Sequence, residues 1–236
     1  MHQHFLFIDT ETTGLPKKWT SPYASITHWP SAVQISWVVC NRDGEELKRA
    51  NFYINNNDVP IRAEAQKIHG LDAAYLSKHG TPRQAALQAL MRDVEQYQPL
   101  VVGHFVLLDV RVLGADFYRC ALDTPLDKAP LFCTMRASAR YVRKPWMKYL
   151  RLNELYEELF NRKLPRLHHA LTDAEATAAC FFELMKRGEI DERAIARQQD
   201  ELAVGSEWQE TSRWKYGLLA VAVLILIAYI LFFVRF

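Results

Sequence analysis

Two carboxylates, Asp9 and Glu11, stand two positions apart in FLFIDTET, directly after an apolar run rich in β-forming residues. Residues two apart on an extended chain project to the same side, so both carboxylates can reach one point. Their mutual repulsion there must be relieved by a cation, and oxygen-only ligands on a rigid strand suit Mg²⁺ or Mn²⁺. Two solvated acids in a turn would carry the same letters. Asp109 is the second candidate: it lies among Val106, Leu107, Leu108, Val110 and Val112, where a lone acid is expensive to bury without a partner. The exposed stripe of a helix is the other place for it. In LHHALTDAEAT, His168 stands five positions before Asp173. Asp173 opens a helical run and can serve as its N-cap, and His168 can be a surface histidine on the preceding loop.

The elements that must position these groups read as strands at 5–9, 33–40, 47–54, 100–103 and 131–134. On this reading the first strand ends at Asp9, and a long loop with three prolines, residues 16–31, leads to the second. Helical spacing covers 62–69, 82–96, 107–118, about 135–142, 151–159 and 173–185. Three strands followed by alternating strand and helix indicate a mixed α/β sheet covered by helices.

The joint occurrence in chain order is more specific than any single motif: DxE on the first strand, one acid among apolar residues, then HxxxxD before a late helix. It resembles the DEDDh exonucleases, the DnaQ-like branch of the ribonuclease H-like superfamily. The segments that carry the resemblance read FIDTETTGL, GHFVLLDVRVL and HHALTDAEAT, with AEAQKIHGL and RLNELYEELF between them, over about residues 4–186. It implies a ribonuclease H-like mixed five-stranded sheet flanked by helices. It further implies that Asp9, Glu11, Asp109 and Asp173 hold two divalent cations, Mg²⁺ or Mn²⁺, with His168 as the general base that takes a proton from the attacking water. His169 follows at once and is the alternative base; the five-residue spacing favours His168. By the same resemblance Thr12, Gly14 and Leu15 line the path of the terminal nucleotide, and His69 closes a helix or touches the substrate edge. The family's second motif commonly has Asn after its His and Phe before its Asp. Here Phe105 and Leu108 take those places, which bears on local packing and substrate contacts.

The implied activity is 3′–5′ hydrolysis of phosphodiester bonds, releasing 5′-mononucleotides from single-stranded DNA or RNA ends, with DNA slightly preferred. The alternatives are an exoribonuclease or oligonucleotide-degrading enzyme, and a catalytically weak, membrane-tethered nucleic-acid-binding module.

Of 236 residues, 24% are charged and 50% hydrophobic, with 9 Gly, 10 Pro and 4 Cys, which excludes disordered, collagenous and disulfide-scaffold proteins. Setting aside Arg213, Lys215 and Arg235 from 29 basic residues leaves 26 against 27 acidic ones, so the body is not a globally basic nucleic-acid binder. Cys40, Cys120, Cys133 and Cys180 lack metal spacing and no signal peptide precedes them, so reduced thiols are expected. The span 128–153 concentrates seven basic residues, Arg140, Arg143 and Lys144 among them, with no acid and with Tyr141, Trp146 and Tyr149 interleaved. It can hold phosphates and stack bases, form a solvated face, or meet anionic lipid.

The run GLLAVAVLILIAYILFFV, residues 217–234, contains no charge. Eighteen residues at 1.5 Å each give about 27 Å, enough for a thin bilayer. Arg213 and Lys215 on its N-terminal side place the body in the cytoplasm by the positive-inside rule. The organisation expected is an exonuclease domain at 1–187, a charged helix or linker at 188–213 holding the body off the bilayer, and a single-pass C-terminal transmembrane anchor at 214–236.

Overall fold

The computed structural model describes residues 2–55, 58–165 and 168–202. Its centre is β1 (His4–Thr12), whose apolar run is buried on both faces because the strand lies mid-sheet in the order β4-β3-β2-β1-β5-β6. Side chains alternate across it. Leu6 and Ile8 enter a core with β2 (Ala32–Asn41), α3 (Arg83–Tyr97) and α4 (Val106–Arg119). Phe5 and Phe7 enter a second core on the other face, against α6 (Leu152–Phe160) and α7 (Ala170–Lys186). β1 runs antiparallel to β2, which pairs antiparallel with β3 (Glu46–Asn55); β5 (Leu100–Gly103) and β6 (Leu131–Cys133) add in parallel on the other side.

Several sequence expectations need correction. The sheet has six strands rather than five: Thr81–Pro82 forms β4, a two-residue edge strand parallel to the end of β3, too short to leave a periodic signal and ending on a proline. β1 does not end at Asp9. It continues to Thr12, so Glu11 sits within the strand opposite Gln34, with the register shifting only between Glu11 and Thr12. Besides α1 (Ala63–His69), a second short helix precedes α3: α2 (Ala73–His79), capped by the Asp72 carboxylate accepting from the Tyr75 N–H. The helix expected near 135–142 is split into α5 (Thr134–Ala137) and a 3₁₀ turn, Ser138–Tyr141. α7 begins at Ala170, so Asp173 lies inside its first turn and His169 is the N-cap residue.

The loop from Thr13 to Ser31 is strapped to α4. Arg119 donates to the carbonyls of Ile26, Trp29 and Pro30 at 2.8, 2.7 and 2.9 Å and to the buried Asp116 carboxylate at 2.7 Å. Asp116 also accepts from the Ser31 hydroxyl and the Ala32 N–H, both at 2.8 Å. Tyr23 lies over Gly114, where a β-carbon would fall 2.3 Å from its ring, and its hydroxyl donates to Asp127 at 3.0 Å.

Beyond α7, residues 192–202 are helical and lie on the body, with Ile190 and Ile195 in the second core and Leu202 buried. The Gln198 amide accepts from the Cys133 N–H at 3.0 Å and donates to the Cys133 carbonyl at 3.3 Å. The first part of the segment expected as a charged helix or linker is thus a helix packed on the body. All four cysteines are free. Among the described residues no helix is long and apolar enough to cross a membrane; the anchor expected at 214–236 and the linker residues 203–213 lie outside them.

Candidate active site

Strand parity sets the first half of the site. Asp9 and Glu11 share the face of β1 that carries Phe5 and Phe7 and therefore look toward α7. Thr10 projects to the opposite face, where its hydroxyl donates to Asp109 Oδ1 at 2.7 Å and fixes that carboxylate in the first turn of α4. Asp173 arrives from the first turn of α7. Ligand-capable atoms of Glu11, His168 and Asp173 lie within 4.8 Å of one another. Glu11, Asp109 and Asp173 are buried, at 8%, 4% and 8% exposure.

The four acids disturb one another. Burial, then the charges of Asp109, Asp173 and Glu11, hold Asp9 well above the usual carboxylate range. Burial, then Asp173 and Asp109, push Glu11 up to about 8. Burial raises Asp109 to about 7 against the opposing hydrogen bond from Thr10, and raises Asp173 to about 6 against a backbone bond from His168. Asp173 Oδ1 is buried without a hydrogen-bond partner among the described residues. Four oxygen donors that repel one another, one with an orphaned buried atom, fit a hard divalent cation and little else.

The two histidines separate clearly. His168 is exposed and holds φ 63°, in the left-handed region that His enters more readily than most residues and that clusters at functional sites. His169 is built into the scaffold: its Nε2 lies 3.2 Å from the Tyr53 hydroxyl and 3.3 Å from Gln34 Nε2, and its Nδ1 lies 3.4 Å from the Thr172 hydroxyl. Gln34 also accepts from the Ala170 N–H at 3.3 Å, tying the start of α7 to the strand beside Glu11.

Among the residues expected to line the substrate path, the Thr12 hydroxyl donates to the Gly14 carbonyl at 2.7 Å and Leu15 stands out into solvent. Gly14 has φ 154°, and a β-carbon there would lie 2.8 Å from Arg62 Cδ, so the missing side chain makes room for Arg62. His69 is lowered by burial, with a Thr12 backbone bond opposing and His168 near enough to contribute. His104 of the second motif is pushed down to about 4 by burial; its ring nitrogens face the Thr134 hydroxyl and the Leu150 carbonyl, each at 3.1 Å, which makes it a neutral tie.

Three of the seven basic residues of the span form surface ion pairs. Arg140 pairs with Glu189 at 3.1 Å, Arg143 with Glu158 at 2.6 Å and Arg136 with Glu201, while Lys144 is exposed. Acids distant in sequence answer a charge excess that looked uncompensated along the chain. Sequence reasoning missed Thr10, Gln34, Tyr53 and Arg62. Only Thr10, between the two motif acids, offered any signal.

The sequence model of the exonuclease (RNase T) family matches residues 6–181. No curated protein matches the sequence. Among solved structures, Escherichia coli exonuclease I in complex with a dA16 oligonucleotide is 17% identical with a TM-score of 0.65, covering 83% of this chain and 43% of that one. The zinc-bound form of the E. coli exonuclease I–single-stranded DNA complex is 19% identical, with a TM-score of 0.64 and coverages of 83% and 42%. A moderately thermophilic exonuclease I from Methylocaldum szegediense is 16% identical, with a TM-score of 0.61 and coverages of 78% and 41%. The chain therefore shares their fold and spans less than half the length of each. With the family match running from β1, which carries Asp9 and Glu11, into α7, which carries Asp173, this chain belongs to the exonuclease family of nucleic-acid hydrolases.

Proposed function

We propose that the chain is a 3′–5′ exonuclease that hydrolyses the terminal phosphodiester of single-stranded nucleic acid, with DNA slightly preferred over RNA. The observation that carries this reading is the convergence of Asp9, Glu11, Asp109 and Asp173, with pKa values raised by burial and by one another, beside His168. The four carboxylates would hold two divalent cations, Mg²⁺ or Mn²⁺. When bound, such cations supply charge neutralisation at the scissile phosphate and a more acidic water. Thr10 keeps the Asp109 carboxylate turned toward β1, and Gln34 with His169 fixes the start of α7 and hence Asp173. His168, on its exposed left-handed turn, accepts the proton of the attacking water at a ring nitrogen. Thr12, Gly14 and Leu15 direct the 3′ end into the site, with Leu15 against a base. The DNA preference draws on the oligonucleotides bound by the exonuclease I structures.

The test is digestion of 5′-labelled single-stranded DNA and RNA of one sequence by the full chain with Mg²⁺, with Mn²⁺ and with chelator, alongside Asp9→Ala. A metal-dependent ladder lost in Asp9→Ala supports the reading and reports sugar preference. Intact strands from folded protein with either metal overturn it in favour of a binding module.

The uncharged run 217–234 and its basic N-terminal flank support a membrane tether that keeps the body in the cytoplasm, with the bilayer as second partner. Fractionation of the full chain checks this: it should resist extraction by alkaline carbonate and dissolve in detergent.

A further inference from the structure

The loop between β1 and β2 carries Trp19 to Phe105, with ring centroids 5.5 Å apart and planes inclined by 42°, and Trp29 stands behind Trp19 at 6.5 Å, nearly perpendicular. Trp19 is 41% exposed and Leu15, on the same loop, 62%. Three observations distinguish this surface from stray apolar side chains. Phe105 holds φ 84° at the N-cap of α4, four residues before Asp109. A ring is poorly suited to that left-handed position, whereas Asn tolerates it, so the ring sits there at a backbone cost. The loop is also anchored from below through Arg119 and through Tyr23 on Gly114, so Trp19 is presented on a fixed support. Finally, chain position ties the patch to the acid site: Leu15 follows the end of β1 by three residues, and Phe105 stands at the head of the helix whose first turn carries Asp109.

We infer that Trp19 and Phe105 form a nucleobase-binding site, which stacks a base of the strand whose 3′-terminal phosphodiester lies at the carboxylates. The inference rests on the exonuclease reading above. A nucleobase is the occupant that the chemistry selects. It is flat and apolar on its faces, it arrives attached to the backbone that the acid site addresses, and every base offers a π-face, so the site tolerates sequence. Phe105 gives the edge and Trp19 the platform, with the firmly held loop sparing the ordering cost that a mobile aromatic would incur on binding.

The experiment compares the full chain with Trp19→Ala, Trp19→Phe and Phe105→Asn on two single-stranded DNA substrates, one normal and one with abasic residues at its 3′ end. Trp19→Ala and Phe105→Asn should each raise KM on the normal strand about tenfold, which is about 1.4 kcal/mol, with Trp19→Phe close to the parent. All four proteins should converge on the abasic strand. An equal loss on both strands, or no loss on either, overturns the inference, because a packing role is blind to the base and a docking face for another protein would leave these kinetics unchanged. Phe105→Asn suits the left-handed backbone and so remains informative if Trp19→Ala folds poorly. A second readout is independent of turnover: the normal strand should quench tryptophan fluorescence of Asp9→Ala, and adding Trp19→Phe should remove most of the quench. If the parent cuts neither strand, the exonuclease reading fails, and the quench alone decides the base site.

Discussion

Replacing Asp9 by Asn should strengthen the metal-free protein while disabling it. Glu11 keeps its proton in the folded chain up to about pH 8 but releases it near 4.5 when unfolded, so unfolding sheds protons in that window. Stability is therefore full below pH 4.5, falls as pH climbs and levels off above about 8. At ~1.4 kcal/mol per pH unit the ceiling is about 5 kcal/mol from Glu11 alone. Screening by water on the open side of the site leaves ~2–3 kcal/mol. For a chain of this size that amounts to roughly 5–10 °C in Tm between pH 5 and 8. Millimolar Mg²⁺ should remove the slope, because the bound cation favours the ionised acids in the folded state only. Asp9→Asn removes one ionisable, buried acid from the cluster at nearly constant volume, so its Tm at pH 8 in chelator should rise by about 3–6 °C. It should gain nothing from Mg²⁺ and cut nothing. The assay is thermal unfolding of the full chain by circular dichroism across pH 5–8, with chelator and with Mg²⁺. A flat Tm in chelator, or an Asp9→Asn protein that melts lower at pH 8, would refute the reasoning.

His168→Ala should lower kcat by about 10²–10⁴ with little change in Tm, whereas His169→Ala, which cuts the ties to Tyr53 and Gln34, should lower Tm as well; paired kinetics and melting curves separate them. Thr10→Val removes the donor that opposes the rise of the Asp109 pKa, so the acid limb of the pH–rate profile should move to higher pH. Gly114→Ala would stabilise an ordinary helix by about 1 kcal/mol. Here it must displace Tyr23, and a net cost of ~1–3 kcal/mol is expected from denaturant unfolding. Arg119→Met leaves the Asp116 charge with only Arg83 at 3.4 Å, and chemical denaturation should report a loss of about 3 kcal/mol.

What the sequence made legible follows from how each feature is encoded. The five longer strands and most of the helices that cover them leave periodic or apolar signals, whereas the acids of the site stood out only because their joint order along the chain resembles that of a known family. β4 was invisible because two residues that include a proline carry no period. α2 was missed because a seven-residue helix with one buried side chain shows almost no stripe. The ion pairs of the basic span were not legible because charge was counted along the chain, while Glu189 and Glu201 come from beyond α7. Gln34 and Tyr53 could not be read at all. A polar residue in a strand becomes part of a site only through what the fold sets opposite it.

β6 is the last strand of its sheet, and an outer strand with unpaired backbone groups is a template for another chain. Gln198 occupies that position at Cys133: its amide offers one acceptor and one donor to one residue, much as a neighbouring strand does. The helix that supplies it lies wholly beyond residue 181, where the family match stops. The span that matches the family is therefore shorter than the span that packs as one body. A fragment cut at the family boundary would keep every acid of the site, yet expose the β6 edge and strip Ile190 and Ile195 from the second core. Self-association through that edge is the failure expected of it, read by light scattering.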